Sequence, residues 1–136
     1  MDTFYEEDIL GEGFQRTTLS LRDDYEGSAV ATLVRRLSDT GNGRSVLYIH
    51  GFNDYFFQRE MAWRLNERGF HFYALDLRKY GRSWLSHQKF NDIRDIRAYF
   101  EEITLALQMI REEGSRTTVL LGHSTGGLIV TLYAKE

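Results

Sequence analysis

Hydrophobic positions change their spacing along the chain, and each spacing predicts a different element. FQRTTLSL (14–21) and SAVATLVRRL (28–37) alternate as strands do, and DDYEG (23–27) between them supplies turn-forming residues. Two later segments, 45–50 and 70–77, are short continuous apolar runs, and TTVLLGH (117–123) is a third run of the same kind. Such runs are typical of strands buried on both faces of a parallel sheet. The pattern therefore predicts an antiparallel hairpin followed by three buried strands.

Helices are predicted between these strands, where apolar residues recur three and four positions apart. Residues 55–68 place Phe57 and two later apolar side chains on one face, and Gly69 is a natural C-terminal stop. A longer amphipathic run begins at Asp92, and a last helix begins after Ser124. Alternating strands and helices predict an α/β fold. We expect a mostly parallel sheet with helices on both faces and an N-terminal antiparallel hairpin.

The length of 136 residues is enough for one domain with a hydrophobic core. Residues 1–13 are acidic and end in GEG, so we expect a loose lead-in segment before a domain over residues 14–136. The net charge is −3 and the basic residues form no block, so we expect no nucleic-acid partner. The short basic pairs Arg35-Arg36 and Arg78-Lys79 are expected to form solvated rims.

Composition also narrows the compartment in which the protein is expected to work. The chain has no cysteine, which excludes disulfides and thiolate metal sites. The acidic N-terminus MDTFYEEDIL differs from a signal peptide, and no apolar run approaches the ~20 residues of a membrane span. We therefore expect a cytoplasmic protein without a transmembrane segment.

The segment GHSTG (122–126) has the pattern G-x-S-x-G and lies between the last predicted strand and the last predicted helix. A serine hydroxyl becomes a nucleophile when a base removes its proton and when the residue projects away from its own backbone. A sharp strand-to-helix turn presents the serine in this way, and Gly122 and Gly126 permit the crowding. The motif predicts a nucleophile elbow with Ser124 as the nucleophile. The alternative interpretation is a structural glycine-rich turn with an inert serine.

Acyl transfer by such a serine also needs an oxyanion hole, in which two backbone N–H groups point at the developing negative charge. Thr125 follows the nucleophile and begins a helix, whose N-terminus favours negative charge. The second amide is expected from HGFND (50–54), and we assign it to Phe52. His50 and Gly51 are interpreted as a tight strand-end turn, in which the histidine can also support the loop.

Several polar residues lie at or just past the carboxyl ends of predicted strands, where open α/β sheets bind their ligands. His50, Asp76 and Ser124 have such positions, so we expect them to face the same edge of the sheet.

A base for Ser124 is not evident in this chain, since no His or Asp follows the serine. His123 belongs to the elbow and is expected to point elsewhere, and His50 is tied to the loop that carries Phe52. His71 begins a strand and His87 lies in a polar loop, so neither is favoured as the base. The histidines lack a spacing such as H-E-x-x-H, and we expect no metal and no cofactor.

Three segments together resemble the α/β-hydrolase superfamily in their order and spacing: VLYIHGF (46–52), ALDLRKYGRSW (74–84) and LLGHSTGG (120–127). The chain is most similar to the serine aminopeptidase and lysophospholipase or monoglyceride-lipase-like branch. One loop of that branch commonly reads D-x-R-G-x-G-x-S, and here DLRKYGRS (76–83) has Lys79 at the first glycine. We interpret Asp76 as an anchor of this loop and not as the acid of a catalytic triad.

The resemblance implies a sheet of eight strands and a triad in the order nucleophile, acid, histidine. The acid, the histidine and the cap would follow Ser124 on later segments, so the chain is expected to be an N-terminal portion that is inactive alone. The implied activity is hydrolysis of a small acyl ester, such as a monoacylglycerol or lysophospholipid. Strand 117–122 would then expose an unpaired edge, covered by the missing C-terminal half or by a second copy of the chain.

Two alternatives to ester hydrolysis stay open from the sequence. A non-catalytic α/β-hydrolase-like module could bind a small ligand or a partner, because the base is missing from this chain. A peptidase, thioesterase or acyltransferase could use the same fold and the same serine.

Overall fold

The computed structural model describes residues 4–135, which fold into one mixed sheet with helices on both faces. The strands of the described chain are β1 (Glu6–Glu7), β2 (Gln15–Ser20), β3 (Val30–Arg36), β4 (Arg44–Ile49), β5 (His71–Asp76) and β6 (Thr117–Gly122). The helices are α1 (Arg59–Glu67), α2 (Phe100–Glu112) and α3 (Thr125–Lys135). Each strand of the sequence-based prediction is present.

The six strands follow the order β1-β2-β3-β5-β4-β6 across the sheet. β4 pairs in parallel with both β5 and β6, whereas β1–β2, β2–β3 and β3–β5 are antiparallel. The predicted fold class is confirmed, and the antiparallel part extends one pairing beyond the β2–β3 hairpin on each side, through β1–β2 and β3–β5. Ile49 lies opposite both Leu75 and Gly122, so β4, β5 and β6 end at the same level.

Two apolar clusters fill the space on either side of the sheet. On one face, Leu47 and Ile49 of β4 pack with residues of α2 and α3, including Ile103 and Ile129. On the other face, Val46 and Tyr48 pack with α1 and with Phe56. Burying one large apolar side chain contributes about 1.5–3 kcal/mol, so a strand covered on both faces must be apolar at every position. This is the physical origin of the continuous run in β4.

α1 starts four residues later than the sequence pattern predicts. Residues 55–58 are irregular, and the side chain of Phe57 is 50% exposed instead of lying on a buried helix face. The backbone N–H of Phe56 donates to the Asp76 carboxylate at 2.8 Å, which directs the chain away from helical geometry at this point. A tertiary hydrogen bond therefore overrides the local periodicity.

The predicted helix from Asp92 also begins later, in two steps. The Asp95 side chain accepts the N–H of Arg97 at 2.9 Å and caps a 3-10 turn over Ile96–Tyr99. α2 then runs from Phe100 to Glu112. The apolar periodicity is real, but its first residues form the approach to the helix.

From residue 4 onward, the acidic lead-in is attached to the sheet and is not loose, contrary to the expectation. Glu6 lies opposite Arg16 in the β1–β2 pairing. The Asp8 side chain is fully buried against Arg82. The N-terminal residues that the structure describes are thus packed on the rest of the chain, while residues 1–3 lie outside the described part.

β6 lies at the edge of the sheet and is less covered than its apolar sequence suggests. Val119 and Leu121 face the side of α1 but remain 49% and 39% exposed, because α1 packs over the strands further in. One side of the β6 backbone has no strand partner within residues 4–135. Among these residues, none of the helices is both long and apolar enough to cross a bilayer.

Candidate active site

The carboxyl ends of β4, β5 and β6 meet at one edge of the sheet, which we call the rim. His50 follows β4, Asp76 ends β5, and Ser124 lies two residues beyond β6. The level register of the three strands places all three residues there, as the sequence predicts.

The segment 122–126, which we call the serine turn, connects β6 to α3 in the predicted strand-turn-helix context. Ser124 has a φ of +57°, a left-handed conformation that is unfavourable for a residue with a side chain. α3 begins at the next residue, and the N–H of Leu128 donates to the Ser124 carbonyl at 3.3 Å. The sharp turn leaves the Ser124 side chain exposed at the rim.

Close backbone contacts explain the glycines of the serine turn. A Cβ atom added at Gly122 would lie 2.5 Å from the carbonyl carbon of Gly126. A Cβ atom at Gly126 would lie 2.5 Å from the carbonyl oxygen of His50. Both contacts involve backbone atoms that cannot move aside, so only glycine fits at either position.

The serine turn also contacts the loop after β4, residues 50–57, which we call the β4 loop. A Cβ atom added at Gly51 would lie 3.3 Å from Cβ of Ser124. The backbone N–H groups of Phe52 and Thr125 have no hydrogen-bond acceptor within residues 4–135. Two available donors thus occur on the two segments that meet beside the Ser124 side chain.

His50 is buried, and both of its ring nitrogens are hydrogen-bonded to backbone groups. Its Nε2 accepts the N–H of Leu77 at 3.1 Å, which leaves the proton on Nδ1, and Nδ1–H donates to the Gly51 carbonyl at 2.8 Å. The ring also lies 4.6 Å from the ring of Tyr80. Burial lowers the pKa of His50, which keeps the imidazole neutral. His50 therefore holds the β4 loop against β5 and has no free nitrogen for the serine.

The remaining histidines make no hydrogen bond to the Ser124 hydroxyl within residues 4–135 either. His71 Nδ1 accepts the N–H of Ser38 at 3.0 Å, and His87 Nε2 lies 2.9 Å from the Ser28 carbonyl. His123 is exposed next to the serine. Within residues 4–135, no side chain hydrogen-bonds to the Ser124 hydroxyl, and no group of three potential ligands could hold a metal ion. The described chain thus presents a serine without a paired base.

Asp76 is an anchor for the surrounding loops, as expected. Its fully buried carboxylate accepts the N–H of Phe56 at 2.8 Å, and it accepts the N–H and Nη1–H of Arg82 at 3.0 and 2.9 Å. These donors engage both carboxylate oxygens, and none of the described histidines hydrogen-bonds to either oxygen.

Arg78 and Lys79 are buried, which corrects the expectation of a solvated rim. Arg78 Nη2 lies 2.7 Å from the Glu102 carboxylate on α2. Lys79 Nζ lies 2.8 Å from Asp24 and 2.6 Å from Glu26, both in the turn of the β2–β3 hairpin. These cations fix the loop after β5 to α2 and to the hairpin.

The Lys79 ion pairs were detectable in the sequence only indirectly. Lys79 has a φ of +67°, the conformation that glycine favours, and it stands where the related loop pattern has glycine. The departure from this pattern is the sequence signal for the ion pairs, together with the acidic residues of the turn DDYEG, which supply charge as well as turn geometry.

Comparison with known proteins agrees with this architecture. Residues 42–136 match the family described as serine aminopeptidase, S33. The AB hydrolase superfamily protein YisY of Bacillus subtilis (strain 168) is 32% identical over 102 residues, which cover 71% of this chain and 34% of YisY. The chain therefore spans about a third of this curated relative.

Solved structures share the fold at low sequence identity. A thermostable carboxyl esterase from Bacillus coagulans, in complex with glycerol, is 20% identical with a TM-score of 0.70, covering 88% of this chain and 39% of the esterase. A lipase in its open form is 18% identical with a TM-score of 0.74, covering 89% of this chain and 40% of the lipase. At these identities the likeness shows the fold alone. With the family match over residues 42–136, it places the chain in the α/β-hydrolase superfamily, within the serine aminopeptidase S33 family.

Proposed function

We propose that the protein is a serine hydrolase of carboxylic esters with Ser124 as its nucleophile. The observation that carries the proposal is the conformation of Ser124. Its left-handed backbone costs about 1–2 kcal/mol, yet the side chain is exposed and makes no hydrogen bond within residues 4–135. The backbone strain at Ser124 is not offset by packing or hydrogen bonding of its side chain, and this supports a chemical role for the hydroxyl.

In the proposed reaction, Ser124 Oγ attacks the ester carbonyl carbon and loses its proton to a base. The carbonyl oxygen becomes negative and is stabilised by the N–H groups of Phe52 and Thr125, which have no other acceptor in the described chain. The base then protonates the departing alcohol, and water hydrolyses the resulting acyl-enzyme.

The base and its acidic partner are proposed to lie in a part of the protein outside this chain, because no described histidine or carboxylate reaches Ser124. His123 belongs to the serine turn, and Gly51, Gly122 and Gly126 permit the close approach of backbones around it. His50 holds the β4 loop through Leu77 and Gly51. These residues support the site without taking part in proton transfer.

The substrate is proposed to be an ester with an apolar acyl group, such as a monoacylglycerol or lysophospholipid. The β4 loop exposes three large apolar side chains, those of Phe52, Tyr55 and Phe57. Such side chains favour contact with an acyl chain over contact with a charged group.

The open edge of β6 leads to a proposal about partners. Its apolar residues Val119 and Leu121 and its unpaired backbone need a cover, which we assign to further chain of the same protein or to a second copy. Light scattering at high concentration tests this proposal, because a stable monomer of the 136-residue chain would contradict it. We also propose a cytoplasmic location, which fits a chain without cysteine.

A fluorophosphonate probe, with intact mass as the readout, tests the proposed function directly. The longest natural form of the protein should gain one probe adduct, and Ser124→Ala should abolish it. Ser86→Ala is the matched control, because Ser86 is also exposed but lies outside the serine turn. The 136-residue chain alone should stay unlabelled. No labelling of the long form would favour the non-catalytic binding module, and labelling of the short chain would show that it contains a base.

A further inference from the structure

The far end of the β4 loop is fixed through the backbone of a single residue, Phe56. Its N–H donates to Asp76 Oδ1 at 2.8 Å, and its carbonyl accepts Nη1–H of Arg82 at 2.8 Å. The Phe56 ring is fully buried, 5.1 Å from the ring of Phe72 and 6.0 Å from that of Phe14. Phe52 lies between this attachment and that of His50, so its path depends in part on the positions of Asp76 and Arg82.

Arg82 connects this backbone to two carboxylates. One Nη1–H donates to Asp76 Oδ2 at 2.9 Å, in addition to its bond with Phe56. The other side of the guanidinium, Nε and Nη2, donates to Asp8 at 2.7 and 2.8 Å, one bond to each carboxylate oxygen. The Asp8 and Asp76 side chains are fully buried and that of Arg82 is 6% exposed. A bidentate ion pair of this kind fixes both the position and the plane of the guanidinium.

Asp8 is itself held in place by the segment around it. Its backbone N–H donates to the Phe14 carbonyl at 3.0 Å, and its carboxylate accepts the N–H of Leu10 at 3.1 Å. Burial raises the pKa of the Asp8 carboxyl, but the interaction with Arg82 lowers this pKa by more. The net result is a pKa below the usual value. The carboxylate is therefore charged at neutral pH and available to Arg82.

We propose that Asp8 is a positioning residue for the β4 loop. By orienting Arg82, Asp8 maintains the hydrogen bonds of Arg82 and Asp76 to the Phe56 backbone, and these bonds help to hold the Phe52 amide in place. Without Asp8, two buried donors of Arg82 lose their acceptors, and the guanidinium is free to turn toward Asp76 and away from the Phe56 carbonyl. The catalytic meaning of this proposal rests on the proposed function, which assigns the Phe52 amide to the oxyanion.

The test compares Asp8→Asn with Glu7→Gln in the longest natural form of the protein. Both variants remove one negative charge from the same segment, but Glu7 is exposed and has no contact with Arg82. Hydrogen exchange of residues 51–57 reports the loop without any need for activity, and ester hydrolysis reports kcat and KM. We expect Asp8→Asn to speed exchange in this segment at least tenfold and to lower kcat about tenfold, since small misplacements of catalytic groups have such effects. KM should stay within about twofold, because the lost interaction acts in the transition state.

Arg82→Lys provides a second variant if Asp8→Asn does not fold. It keeps the buried positive charge between Asp8 and Asp76 but loses the paired geometry of the guanidinium. The same local increase in exchange and the same fall in kcat are expected. Glu7→Gln should change neither quantity.

Each outcome distinguishes this inference from the proposed function. An active parent protein in which Asp8→Asn and Glu7→Gln behave alike would overturn the inference and leave the proposed function intact. Faster exchange throughout β4 and β5 would also overturn it, because the role of Asp8 would then be general stability. A parent protein without hydrolase activity, but with faster exchange confined to the loop in Asp8→Asn, would support the positioning role and refute the proposed function.

Discussion

The strain at Ser124 can be measured by replacing this residue with glycine and with alanine. Both variants remove a hydroxyl that makes no hydrogen bond within residues 4–135, so neither loses a contact. In the folded state they differ in the cost of a φ near +57°. Alanine keeps the steric penalty of a Cβ atom, whereas glycine adopts this region freely.

The expected difference follows from two opposing effects. The left-handed conformation costs a residue with a Cβ about 1–2 kcal/mol. Glycine recovers this cost but adds about 0.4–1 kcal/mol of unfolded-state entropy. Ser124→Gly should therefore be more stable than Ser124→Ala by up to about 1.6 kcal/mol, with a central value of about 0.8 kcal/mol, and both should lack fluorophosphonate labelling.

Urea unfolding provides the assay, with the difference read from the midpoints at a common slope. Thr131 gives a control of opposite sign, since it is exposed on α3 and its hydroxyl bonds only to the Gly127 carbonyl. Thr131→Gly should be about 1 kcal/mol less stable than Thr131→Ala, because glycine disfavours a helix interior. If Ser124→Gly is less stable than Ser124→Ala while the control behaves as stated, the serine turn carries no strain, and its conformation does not support a functional serine.

Two further predictions concern buried polar groups. Arg78→Met should destabilise the fold by about 3–5 kcal/mol in urea unfolding, because it leaves Glu102 buried without a cation. Adding Glu102→Leu to this variant should recover most of the lost stability. If the stability of Arg78→Met alone were within about 1 kcal/mol of that of the parent, this prediction would be contradicted. Burial lowers the pKa of His50 below its ordinary 6.5, so the folded state resists protonation and stability should fall as the pH drops below that value. His50→Gln should remove that part of the acid slope between about pH 7 and about pH 5, and equal slopes in both proteins would show that His50 does not titrate in this way.

The strands and the rim were predictable because local sequence determines them. A strand covered on both faces must be apolar throughout, and β4 and β5 differ from their predicted bounds by only one residue at either end. Parallel strands that end at the same level bring His50, Asp76 and Ser124 together without any detail of side-chain packing. The glycines of the serine turn were predictable for a similar reason, since backbone crowding excludes every larger residue there.

The start of α1 was not predictable, because it depends on a contact between distant parts of the chain. The periodicity of residues 55–68 is helical, but Asp76 binds the N–H of Phe56, which lies 20 positions earlier in the sequence. Local propensity amounts to tenths of a kcal/mol per residue, and a hydrogen bond to a buried charged group is worth about 1.5–3 kcal/mol. The tertiary bond therefore decides where the helix begins.

The same reasoning explains why the attachment of the acidic lead-in to the sheet was not predictable from the sequence, and this attachment has a consequence for the site. Asp8 and Arg82 are 74 positions apart, and nothing in the sequence distinguishes the buried Asp8 from the exposed Glu6 and Glu7 before it. The serine turn is built from contiguous residues whose backbones exclude larger side chains, so its geometry is fixed locally. The β4 loop is instead held at its start by His50 and at its far end by Phe56, whose backbone depends on charges contributed by two other segments. If the oxyanion is bound where we propose, its two amides are thus held by different kinds of interaction: Thr125 by steric exclusion, and Phe52 by a buried ion pair that a single charge-neutralising substitution at Asp8 can release.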